Sequence, residues 1–389
     1  MAKIRSSSTN MGVMIKENAS TYGTDPGTWT SGAYRVPFTS CDIKPDDEIL
    51  PESGEYTALG AASIPTRGRR LARGSITVEP VYDGFWFWLL FGHGFGSEDV
   101  EVDTSIEEVA DTTTAGLNTH GFDVGRVGDS DLAMRIYKNA WYETYTGLVC
   151  SRWVWEHTSG AIPTVTMDMV GVAAANPITA DPGTDFSTAT VPSDNRVKLT
   201  DLGRTDSDVA FGATQAALNI TTVRIIGDRS IDGDDPEFLQ NLITASKPGQ
   251  QSNRAITIEL EGTLEDTFDA AGSPLVEYLA DTLSAGSIGY ASSVDAVSGF
   301  PYQIRFDAPA ISWTAFAGDM TSTGLIPWSA TGLCTSGLVS GLTTPFESFK
   351  AATPAQAIPA SLSTDLRCLM HVPTAVDADV AITGLGVSV

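Results

Sequence analysis

The chain is expected to adopt a β-rich α+β fold made of two tandem copies of one β-sandwich or barrel unit, residues 1–180 and 181–389, each with a single short packed helix. Three observations lead there. Alternating apolar and polar segments bounded by Gly, Pro, Asp and Ser recur along the whole sequence, as strands and their turns require. Only two segments, near residues 85–91 and 273–283, read as helices. The order of elements in the first half then returns in the second.

In the first half, "GVMIKENASTYGT" reads as an N-terminal strand, followed by a turn at Asp25-Pro26-Gly27. Residues 42–55 are acidic, with Asp42, Asp46, Asp47, Glu48, Glu52 and Glu55. Residues 56–73 carry Gly, Ala and the arginines Arg67, Arg69, Arg70 and Arg73, and read as a long excursion between strands. A strand is expected at 75–81. The block "YDGFWFWLLFGHG" follows, with Asp83 placed to cap a helix and Gly92 and Gly94 placed to end it. Its apolar character all round predicts burial, so Phe85, Trp86, Phe87, Trp88, Leu89 and Leu90 are assigned to a helix packed on a sheet. The acidic, Thr-rich residues 98–118 suggest an extended or mobile arm. Strand patterns resume in "AMRIYKNAWYETYTGLVC", "SRWVWEHTSG" and "TVTMDMVGVAAA", with Trp153 and Trp155 on one face. The Pro-, Thr-, Asp- and Ser-rich stretch after Val172 reads as a linker, with a boundary near 180.

The second half lays over the first. "ALNITTVRIIGD" matches "YRVPFTSCDIKPDD", and Ile256-Thr257-Ile258-Glu259 matches Ile76-Thr77-Val78-Glu79. The helix "SPLVEYLADTL" takes the place of the aromatic block, with Leu275, Tyr278 and Leu279 as its packed residues. "YQIRFDAPAISWTAF" and the closing "ADVAITGLGVSV" match "LVCSRWVWEHTS" and "TVTMDMVGVAAA".

Composition narrows the function classes. With 23 basic and 48 acidic residues the formal net charge is −25, which disfavours a protein that grips nucleic acid, since phosphate binding needs clustered Lys and Arg. The same sign suits a surface that DNA must pass without sticking, or one that is merely soluble. Cys41, Cys150, Cys334 and Cys368 lie far apart and read as buried free thiols rather than a disulfide framework or zinc site. No apolar run follows the basic start, so a signal peptide is not expected, and the apolar block at 85–91 is far short of the ~20 residues that span a bilayer. The chain is expected to be soluble in a cytoplasm, with no membrane partner.

Motifs for catalysis are sparse. His93, His120, His157 and His371 show no metal-ligand spacing, and their contexts "HGFG" and "HTSG" read as turns. "GHGFG" lacks the Lys-Ser/Thr of a phosphate loop, "DRSIDGDDPE" lacks the spacing of a calcium loop, and no GxSxG elbow is present. Neither catalytic residues nor a cofactor are expected.

The N-terminal strand, the long loop, the "RGSITVE" strand running into "YDGFWFWLLFGHGFG", and closing strands such as "TMDMVGV" together resemble the major tail tube proteins of long-tailed bacteriophages. The resemblance covers both halves. It implies two tail-tube-like domains that assemble into a continuous β-barrel tube. The implied partners are further copies of the chain, in rings that are trimers of two-domain chains rather than hexamers, with tape measure and tail tip or terminator proteins. It places the protein in the virion, after assembly in the host cytoplasm, with DNA passing through and not specifically bound. The stretches 98–120 and 316–366 exceed a minimal tube domain and are expected to be surface decorations. Residues 56–73 and 231–253 are expected to cross to the next ring, where Arg67, Arg69, Arg70 and Arg73 would meet Asp46, Asp47 and Glu48. The alternative is a non-enzymatic β-sandwich adhesin or carbohydrate-binding virion protein, with Trp153 and Trp155 as an exposed platform.

Overall fold

The computed structural model describes residues 11–18, 22–50, 66–82, 84–95, 100–102, 117–123, 131–138, 141–180, 209–211, 219–231, 254–264, 273–297, 300–318, 326–335 and 366–373. These residues are mostly β-sheet, with two helices. The first half contains β1 (Met11–Asn18), β2 (Ala33–Val36), β3 (Ser40–Cys41), β4 (Lys44–Leu50), β5 (Thr66–Val78), α1 (Phe85–Phe95), β6 (Val100–Val102), β7 (Leu117–Asp123), β8 (Asp131–Lys138), β9 (Trp141–Thr158) and β10 (Thr164–Ala180). The second contains β11 (Val209–Phe211), β12 (Asn219–Asp228), β13 (Ala255–Thr263), α2 (Pro274–Ala280), β14 (Leu283–Val297), β15 (Phe300–Gly318), β16 (Pro327–Cys334) and β17 (Arg367–Pro373).

Among the described strands every pairing is antiparallel, and the two halves pair in the same order. In the first, β1 lies on β8, β8 on β9, β9 on β10, β10 on β5, and β5 on β3 and β4. In the second, β11 lies on β14, β14 on β15, β15 on β16, β16 on β13, and β13 on β12. Register makes the match residue-specific. Val78 faces Val165, which faces Trp155; Ile258 faces Gly332, which faces Trp313. Trp155 and Trp313 therefore hold equivalent positions.

Three expectations are corrected here. The arginine-bearing residues from Thr66 on belong to a strand, β5, whose backbone is held by antiparallel pairing with β4. The 316–366 stretch is not mere decoration: β16 runs between β13 and β15, in the place that β10 takes in the first half. The closing segment "ADVAITGLGVSV" was expected there and lies outside the described residues. The strand β10 also runs past Val172 to Ala180, through register shifts against β9, before the expected linker.

The helix α1 forms as expected but continues through Gly92 and Gly94, which do not cap it. A Cβ on Gly94 would come within 2.7 Å of Met167 Cε, so this glycine lets the helix lie close on β10. Asp83, the expected cap, lies outside the described residues. Trp86, Phe87, Trp88, Leu89 and Leu90 are buried, as the all-round apolar pattern demands. Ser273 caps α2 by accepting the Val276 N–H, and Pro274 follows it inside the first turn.

The hydrophobic core is shared between the halves. Phe91 of α1 packs edge-on to Trp153 of β9 and to Phe306 of β15, and Trp155 Nε1 donates to Tyr290 Oη of β14 at 3.0 Å. Tyr82 stacks on Tyr302 across the same junction. The cysteines are free, with Cys150, Cys334 and Cys368 buried and Cys41 half-buried, and burial pushes the Cys41 thiol up to about 11. Among the described residues, no helix is long and apolar enough to cross a membrane.

Candidate functional site

Two strand junctions unite the halves: β17 pairs with β7, and β9 pairs with β12. The N-terminal part of β9 pairs with β8 along one edge; beyond Leu148 the same edge, from Arg152 to Thr158, pairs with β12 of the second half. Eight strands thereby run side by side in the order β3, β5, β10, β9, β12, β13, β16, β15. One row crosses all of them: Ser40, Thr77, Thr166, Val154, Ile226, Thr257, Leu333 and Ser312 face one another in succession.

This ladder has two chemically distinct faces, because successive side chains point to opposite sides of a strand. One face is core: Val78, Val165, Trp155, Ile225, Ile258 and Trp313 are all buried. The other is polar. On β9, β10, β12 and β13 it carries Glu156, Asp168, Asp228, Glu259 and Glu261 against Arg152 and Arg224. Arg224 sits at the junction of the halves, 3.2 Å from Glu259 and 3.6 Å from Glu156. Arg152 lies 3.7 Å from Asp168, yet partial burial raises the Asp168 pKa against that attraction. Thr77 and Thr166 share a hydroxyl hydrogen bond of 3.0 Å, and Asp42 accepts from Ser75. The two cations are each tied to a carboxylate, so the face presents surplus negative charge to anything passing over it.

Arg229, the first residue after β12, fastens the junction from the core side. It is 2 % exposed and donates through Nη1 to the carbonyls of His93 in α1 (3.1 Å) and Cys150 in β9 (3.2 Å). Burial lowers its pKa from the usual guanidinium range. Sequence reading passed over it, since a single Arg beside a turn resembles any surface charge. His93 and His157, read as turn residues, instead lie buried in α1 and β9, and His93 Nε2 pairs with the Leu148 carbonyl at 3.1 Å.

The charged segments expected to meet across rings are neighbours within the chain. Asp47 faces Arg70, Asp46 faces Leu71, and Arg73 Nε lies 3.6 Å from Asp46. Arg67 faces Ile49, Glu48 falls at a register shift, and Arg69 lies between them on β5. Most of 231–253 and the residues 51–65 lie outside the described residues, as does most of the "DRSIDGDDPE" loop.

Of the expected packed-helix residues, Leu275 packs against the core, but Tyr278 and Leu279 are 39 % and 73 % exposed. A seven-residue helix turns one side to β15 and leaves the rest outward. Trp153 and Trp155, the expected exposed platform, are both fully buried, because their face of β9 is the core face. Among the described residues no group of three or more His, Cys, Asp or Glu could hold a metal ion.

The fold and its polar face thus define a β-rich protein of antiparallel sheet whose two halves repeat one pairing order, with an acidic ladder surface. Compared with known proteins, the chain matches no protein-family model and no curated protein sequence.

Proposed function

We propose that the chain is a non-enzymatic structural subunit that stacks as rings into the hollow tail tube of a long-tailed bacteriophage. The observation that carries this reading is the eight-strand ladder, two equivalent four-strand units joined edge to edge with a core face and an acidic polar face. A tube wall needs a sheet that continues from unit to unit, since strand edges left facing a channel would invite mispairing. The acidic face suits the channel side, because carboxylates repel phosphates and let DNA slide without being held. On this reading three two-unit chains make a ring, tape measure and tail tip or terminator proteins are its further partners, and the virion is its final location.

The adhesin alternative relied on Trp153 and Trp155 as a platform, and their burial removes that support. Negative-stain electron microscopy of the purified protein, with mass by light scattering, tests the proposal. Hollow tubes or stacked rings of three bilobed subunits are expected. Monodisperse monomer at every concentration, salt level and ageing time would overturn it.

A further inference from the structure

The β9–β12 junction between the halves is a template, and among the described residues its counterpart on the outside of the chain is open. Position by position, β15 corresponds to β9 and β14 to β8. On β9, the edge beyond β8 is occupied by β12. On β15, the pairing with β14 ends at Ser312 opposite Leu283, and no described strand pairs with that edge over 313–318. Thr314, Ala315, Ala317 and Gly318 are exposed there.

The complementary edge lies at the other end of the ladder. Register against β5 and β13 makes residues 36–42 the first-half equivalent of 222–228, the part of β12 that docks on β9. Residues 39–42 bond to β5 on one side, and among the described residues no strand lies on the other. Each end of the ladder therefore presents one half of a contact whose complete form exists between β9 and β12.

An independent feature marks the same place. Leu283 faces Ser312 at the last β14–β15 pair and is 40 % exposed, and the exposed Tyr278 and Leu279 of α2 immediately precede it in the chain. The corresponding helix of the first half, α1, is buried where its side chains are described. Among the described residues, an exposed apolar patch flanks the open edge of β15 and has no counterpart on α1.

We propose that a second copy of this chain docks residues 37–39 against 313–316 in the register of the β9–β12 junction, covering Tyr278, Leu279 and Leu283. The pair Ile225–Trp155 becomes Thr39 opposite Trp313. Past the β15 irregularity between Trp313 and Ala315, Phe38 falls opposite Ala315, as Arg224 does opposite Glu156. Because the two edges differ, the contact is head-to-tail and generates a closed ring or an open filament according to its rotation. The proposal builds on the self-assembly reading above and adds the surface and the register.

The test is disulfide trapping between copies. Phe38→Cys and Ala315→Cys are placed in one chain carrying Cys41→Ser; Phe38→Cys with Ala317→Cys is the register control. Within one chain the two sites stand at opposite ends of eight strands, on the order of 30 Å apart, so any disulfide between them joins copies. Mild oxidation is expected to convert most of the matched variant to linked multimers on non-reducing gels, and several-fold less of the control. Rings or tubes by microscopy with neither variant cross-linking, or both equally, would overturn the register while leaving the tube reading standing. Monomer under every condition would overturn both. Thr314→Lys with Ala317→Lys is a second readout that spares the core: circular dichroism of the monomer stays unchanged and association weakens by roughly tenfold or more. Unchanged association would count against the edge.

Discussion

Gly227 shows how closely the halves are fitted at single residues. A Cβ there would come within 2.2 Å of the Trp153 indole, which is fully buried beneath α1. Gly227→Ala is expected to lower stability by about 1–3 kcal/mol through overpacking, read as a drop in the thermal midpoint. Glu143 supplies a pH-dependent case. Burial alone would raise its pKa, but hydrogen bonds from Lys138 and Tyr145, each 2.7 Å, and from Trp141 together hold it below the usual value. A carboxylate with a depressed folded pKa contributes stability that is present above the unfolded pKa and is lost as pH falls through the folded one. Glu143→Gln should therefore cost about 1–2 kcal/mol near neutral pH, after discounting for the partly exposed Lys138, with the deficit vanishing in acid. Equal deficits at both pH values in denaturant titrations would refute this account.

The two helices separate what sequence could and could not reveal about the elements. The aromatic block was legible because apolar residues on every side leave burial as the only outcome. The α2 segment mixes apolar residues with Glu277, and Tyr278 and Leu279 are exposed, since spacing alone does not say whether a face meets its own core or something else. The strand β16 gives little local signal because "PWSATGLC" alternates small residues around Gly332, and its partners lie 64 to 78 residues away on β13 (Thr263 with Pro327, Ile256 with Cys334) and 10 to 23 residues away on β15 (Gly318 with Trp328, Ile311 with Cys334). The acidic ladder face was legible only as net charge; which carboxylates share it depends on register between distant strands. Two element-scale outcomes follow. Trp86→Ala should cost about 3–5 kcal/mol by leaving a cavity under α1, whereas Leu279→Glu should leave monomer stability within ~0.5 kcal/mol. Chemical denaturation of both variants under monomeric conditions checks the contrast.

At the scale of the whole molecule, the β9–β12 ladder, the Trp155–Tyr290 hydrogen bond and the Arg229 bridge tie the halves together. Unfolding of the monomer should give a single transition, coincident by tryptophan fluorescence and circular dichroism; two separated transitions would show that the junction is weak. The polar face makes a second prediction at this scale. Wild-type protein should leave DNA unretarded in gels at moderate salt, while Glu259→Lys with Glu261→Lys should gain binding that fades steeply as salt rises.

The junction built by β9 also changes how concentration acts on the chain. Its two sides are covalently linked, so they meet at a fixed effective concentration that dilution cannot lower. Only the outer edges answer to the amount of protein present. For any closed assembly made through those edges, half of the unit-to-unit joints are complete before the first encounter, and the number of molecules that must collide to close it is halved.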